Sequence, residues 1–187
     1  HPDARAEFSL ASLLSRLELP QPPTALVSPS SAPVSLPVTH GYAQTQFAQC
    51  PHLFPQQHMP VVPARRGLRE LCFDSFAILH DGNTKTPVFV AQRLNRTMLE
   101  QAKHVPRSDR FYAEARLPAA ERATLNDYRG SGYSRGHMAP AADMHTPKSM
   151  AQSFSLANMV PQNQVQNAGA WSKIEQDTRK YIMRARG

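Results

Sequence analysis

Repeated proline divides this chain before any other feature does. Pro20-Gln21-Pro22-Pro23 opens a Pro/Ser stretch that runs to Pro37. Each proline lacks a backbone N–H and fixes its own φ, so the stretch is held extended and reads as a linker. Ahead of it, Phe8, Leu10, Leu13, Leu14 and Leu17 fall near one face of an amphipathic helix. Residues 1–46 are therefore expected to be a leader helix with a Pro/Ser-rich linker, and residues 47–187 a folded domain. The leader is either a weakly ordered arm or a helix that docks on a partner or on the domain.

Within the folded part, Leu71 to His80 alternates as a strand, Asp81-Gly82-Asn83 marks a turn, and Thr86 to Leu94 is a second strand. Together they predict a β-hairpin. Helices are expected over Thr97–Lys103, Pro118–Leu125, Pro147–Gln152 and Ala168–Met183. In the last of these, Trp171, Ile174 and Thr178 share one side, which Tyr181 and Ile182 continue. Hairpins and helices without βαβ alternation argue an α+β fold. The two cysteines, Cys50 and Cys72, permit a disulfide that would tie an entering loop to the first strand. The alternative is two buried thiols. A bridge favours a periplasmic or secreted protein, and the start at His1 rather than Met fits a removed signal peptide or an engineered end. No apolar run approaches the roughly 20 residues that span a bilayer.

The formal charge of +7 favours polyanionic partners. Against that background stands Tyr133-Ser134-Arg135-Gly136-His137-Met138-Ala139-Pro140. A lone histidine is usually structural. Here Arg135 lies two residues before His137, and on an extended segment both side chains point the same way. A base and a guanidinium can then address one phosphate, because neutral imidazole accepts a proton from water near pH 7. Some thirty residues later, Asn167, Glu175 and Arg179 recur at spacings of eight and four, along one helix edge. An amide oxygen near a helix N-terminus is a hard ligand suited to Mg²⁺. The plain alternative for Glu175 and Arg179 is an ordinary (i, i+4) surface ion pair. For Arg65, Arg66 and Arg69 it is a solvated face.

These residues resemble the DNA/RNA non-specific endonuclease family of His-Me-finger (ββα-metal) nucleases. The resemblance runs through Arg135, Gly136 and His137; then Asn158, Pro161 and Gln162; then Asn167, Gly169, Trp171, Glu175 and Arg179. It covers roughly residues 47–187. It implies a ββα-metal core on an antiparallel sheet and cleavage of DNA and RNA to 5′-phosphate ends. It implies His137 as the general base, Asn167 as the direct Mg²⁺ ligand (Mn²⁺ being possible), and Glu175 reaching the ion through water. Arg135 and Arg179 would bind the phosphate, Gln162 would shape the substrate site, and Asn158 would orient His137. Two departures from the family pattern stand out. Ser134 occupies the place of the usual aspartate, as it does in some mitochondrial relatives with exonuclease activity. The chain also ends at Gly187, before the family's further strands, so an incomplete sheet, a homodimer, or a completing or inhibitory protein chain is expected. The competing readings are a catalytically impaired nucleic-acid-binding homologue and an interaction protein that acts through its leader.

Overall fold

The computed structural model describes residues 38–185. The predicted leader helix, and the linker as far as Pro37, lie outside the described residues. Residues 38–46, assigned to the linker on sequence, hold two strands. β1 (Val38–Thr39) and β2 (Tyr42–Gln44) pair antiparallel, and β2 pairs in turn with β3 (Val61–Pro63). Pro63 can stand there because it lies at a strand end, where a missing N–H breaks no ladder.

The central sheet is antiparallel, in the order β4 (Leu68–Cys72), β5 (Phe76–Asp81), β6 (Thr86–Gln92). The single strand predicted over 71–80 is in fact two, since Asp74 and Ser75 turn the chain between β4 and β5. The predicted hairpin is β5–β6. β5 is buried along its whole length, so both of its faces carry core. Phe76 and Ile78 point into one cluster with Leu71, Phe73, Met144, Met150 and Phe154. Ala77 and Leu79 point into another, with Phe47, Leu53, Phe54 and Leu68. That split follows the two-residue period of a strand.

Cys50 and Cys72 are joined, 22 residues apart. The bridge clamps the loop that precedes Pro51–Leu53 to the last residue of β4. Closing a loop of this length stabilises a domain by about 3 kcal/mol. Replacing both cysteines with serine should therefore lower Tm by roughly 6–12 °C. A change under about 2 °C in a thermal melt would mean that the bridge adds nothing.

Local signals set the helices. Asn95 caps α1 (Arg96–Ala102), its Oδ1 accepting from the Met98 N–H at 2.9 Å. Thr124 and Asp127 form a capping box on the four-residue α2 (Leu125–Tyr128). Residues 118–124, expected to be helical, form turns instead. Thr146 caps α3 (Pro147–Ser153), with Pro147 in the first turn. β7 (Ser134–His137) precedes α3 and β8 (Met159–Gln162) follows it, the two paired antiparallel with His137 opposite Met159. The last helix starts at Asn163, whose Oδ1 accepts from the N–H groups of Val165 and Gln166. It runs through Gln164–Gln166 and a π-helical stretch, Asn167–Trp171, into α4 (Ser172–Arg184). Among the described residues no helix is long and apolar enough to cross a membrane.

Candidate active site

The last helix faces the domain with a side of mixed polarity. Asn167, Trp171, Glu175 and Arg179, a stripe of residues four apart, lie on its half-buried side, together with Ser172, Ile182 and Met183. Ile174 and Tyr181, expected on the packed side, are 56% and 70% exposed. Asn167, Glu175 and Arg179 thus place polar groups among the apolar Trp171, Ile182 and Met183 on the packed side, and such departures from an apolar face mark sites.

Two hydrogen bonds fix this stripe to β7. Asn167 Nδ2 donates to Ser134 Oγ at 3.3 Å, and Trp171 Nε1 donates to the His137 carbonyl at 3.3 Å. Ser134 Oγ in turn donates to the Gln162 carbonyl on β8 at 3.0 Å. Ser134 is thus the link between strand pair and helix. The Asn167 nitrogen is occupied, and its Oδ1 is left as a neutral acceptor. Among the described residues no cluster of three or more His, Cys, Asp or Glu could hold an ion. A cation at this stripe would therefore rest on the Asn167 amide oxygen and Glu175. Burial raises the Glu175 pKa, with Arg179 opposing and Asp143 reinforcing the shift. A carboxylate so desolvated gains from a cation beside it.

His137 is 9% exposed. Its ring meets Phe154 edge-to-face at 4.9 Å and lies 5.9 Å from Phe111. Nε2 is buried without a hydrogen-bond partner in the described residues. Burial, and then the Arg107 charge, lower its pKa to about 4, while Asp109 opposes them. The imidazole is accordingly neutral at pH 7 and able to accept a proton. Arg135 shares this side of β7, as the spacing of two predicts: its guanidinium lies 4.0 Å over Phe111. Gly136, between them, faces Gln162. A Cβ there would run into the Gln162 side chain, so no larger residue fits without displacing it.

Three predicted residues have surroundings that the sequence did not show. Asn158 makes no hydrogen bond to His137 among the described residues. It is fully buried, and its side chain holds the Ala139 N–H and the carbonyls of Ala139 and Ser153. Arg179 is not paired with Glu175. It donates to Asp143 at 2.9 Å, and among the described residues Glu175 makes no ion pair. Gln162 turns its Oε1 inward, buried and unpartnered, over Gly136. The sequence reading missed Arg107, Phe111, Asp143 and Phe154, which surround the site from irregular segments or distant turns.

Residues 56–187 match the profile of the DNA/RNA non-specific endonuclease family. The mitochondrial nuclease EXOG of Xenopus laevis is 40% identical over 113 residues, which cover 58% of this chain and 30% of that protein. Human mitochondrial endonuclease G is 34% identical over 107 residues, covering 57% of this chain and 36% of that one. Among solved structures, the complex of EndoG with EndoGI, described as showing the mechanism of EndoG inhibition, aligns with a TM-score of 0.60. The identity there is 26%, over 74% of this chain and 54% of that one. The chain spans about a third of the length of these curated relatives. Their mitochondrial names overturn the expectation of a periplasmic or secreted protein. That expectation rested on the disulfide, and a disulfide records an oxidising environment rather than one compartment.

Proposed function

The chain belongs to the DNA/RNA non-specific endonuclease family, and from that premise we propose that it hydrolyses phosphodiester bonds in DNA and RNA with one divalent cation. The observation that carries this reading is the buried, neutral imidazole of His137 on a strand hydrogen-bonded to the helix that bears Asn167 and Glu175. His137 takes the proton from a water that attacks phosphorus. The P–O3′ bond breaks, the leaving O3′ takes a proton from solvent to become a 3′-hydroxyl, His137 returns its proton to solvent, and the other end carries a 5′-phosphate. Mg²⁺, or Mn²⁺, held by the Asn167 oxygen and reached by Glu175 through water, would offset charge on the leaving oxygen. Arg135 lies over Phe111 beside His137, and Arg179 lies on the helix that carries Asn167 and Glu175; both would bind the phosphate. Because Arg179 is braced by Asp143, it offers a fixed guanidinium for a phosphate oxygen. Contacts to phosphate carry little sequence information.

The family's usual aspartate is replaced by Ser134, which favours a second reading, a homologue that binds without cutting. The hydrogen bond from Asn167 to Ser134 speaks against it, because serine already positions the amide. Digestion of supercoiled plasmid and of RNA, with Mg²⁺ or with EDTA, separates the two. We expect both substrates to be lost only with the metal. Asn167→Ala should slow cutting by about a hundredfold or more, the scale of losing one preorganised charge-stabilising contact. Salt-sensitive binding with no turnover would instead establish the binding homologue.

A further inference from the structure

We propose that the cleft between α2 and the start of the last helix stacks one unpaired nucleobase of the bound strand, with Tyr133 as its open face. This rests on the nuclease reading and names the form of substrate that the site prefers. The cleft holds about 580 Å³ and adjoins the chemistry directly, since Ser134, Arg135 and Asn167 line it together with Tyr128, Arg129 and Tyr133. No carboxylate lines it, while two arginines do. That is the pairing of cations and aromatic rings that single-stranded nucleic acid selects.

The rings are not equivalent. Phe111, on the wall, already carries the Arg135 guanidinium at 4.0 Å, so that face is taken. Tyr133 is 57% exposed. Its backbone N–H donates to Ser131 Oγ, which donates to the Tyr128 carbonyl, so the loop presents the ring rather than burying it. Tyr128 is half-buried beside it, and burial keeps its hydroxyl protonated, raising its pKa to about 12. That hydroxyl can therefore give a hydrogen bond to a base edge or a phosphate. In a duplex both faces of a base are covered by its neighbours. A cleft that takes a base by its face admits one only from a single strand or a frayed end.

The test is a binding cycle in EDTA, so that strands stay intact, with a fluorescein-labelled 12-nucleotide poly-dT and a fully abasic strand of the same length. Both carry the same phosphates. The full chain should bind poly-dT about tenfold more tightly than the abasic strand, the scale of one base–aromatic stack. Tyr133→Ala should remove that difference by weakening poly-dT alone, and Tyr133→Phe should restore it. Equal affinity of the native chain for both strands, or equal weakening of both by Tyr133→Ala, overturns the stacking site and leaves the nuclease reading intact. No salt-sensitive binding of either strand overturns the nuclease reading together with it.

Discussion

His137→Ala should lower the cutting of plasmid and RNA by about 10³-fold, the middle of the range that a positioned general base supplies. The fold should survive. The ring packs against Phe111 and Phe154, and losing it leaves a small gap. Its removal also relieves an unpartnered buried nitrogen, which offsets part of the loss. Circular dichroism and salt-sensitive oligonucleotide binding should both be retained. Full cutting by the variant would remove His137 from the mechanism.

The native protein should show this residue in its pH dependence. Burial, helped by Arg107, holds the His137 pKa at about 4. The acid limb of kcat/KM, which reports the free protein, should then lie near pH 4 instead of pH 6.5. The same shift enters stability. A pKa depressed on folding means that the unfolded chain takes up the proton first. The contribution is complete above pH 6.5 and is lost as pH falls through about 4. At about 1.4 kcal/mol per pH unit this amounts to roughly 3 kcal/mol. Denaturant melts of the native chain and of His137→Ala at pH 7 and pH 4.5 should differ in slope accordingly. Parallel profiles would show that His137 titrates normally.

Much of this site is legible in the sequence because its parts are local. Arg135 and His137 share one side of a strand through a spacing of two. Asn167, Glu175 and Arg179 share one side of a helix through spacings of four and eight. Period alone brings each set together. What period cannot show is which side turns inward. Trp171, Ile174, Thr178, Tyr181 and Ile182 promised one packed face, yet only Trp171 and Ile182 are half-buried, and the polar edge is packed with them. Partners from far along the chain are hidden for the same reason. Asp143 meets Arg179 across 36 residues, and nothing in Ala141-Ala142-Asp143-Met144 announces it. Phe111 and Arg107 come from an irregular stretch with no repeating pattern to read. The strand predicted over 71–80 joined two real strands because the short turn at Asp74 and Ser75 carries no glycine or proline to punctuate it. The disulfide was readable, since only two cysteines were available to form it.

Replacing Asn158 should cost more stability than replacing His137 or opening the disulfide. The resemblance put it in the catalytic set. In the structure it is a buried latch, its side chain bonded to backbone groups of Ala139 and Ser153. Its Oδ1 accepts from the Ala139 N–H at 2.8 Å, and its Nδ2 donates to the Ala139 and Ser153 carbonyls, each at 2.9 Å. The chain just past His137 is thereby pinned to the end of α3. Its own carbonyl also accepts from the Met138 N–H at 2.9 Å. Asn158→Ala strands one donor and two acceptors away from water. At about 1–3 kcal/mol for each unsatisfied group, with partial relaxation, the cost is about 4 kcal/mol. For a domain of this size Tm should fall by roughly 8–16 °C. Asn158→Asp tests the chemistry of the latch. An ionised carboxylate can still accept from Ala139 but gives nothing to either carbonyl and carries a buried charge, so it should be at least as damaging. A catalytic asparagine would behave differently, losing turnover at an unchanged Tm. Cutting that falls in both variants only in step with the unfolded fraction assigns Asn158 to the scaffold. Lost cutting in a variant that melts with the native chain returns it to the reaction.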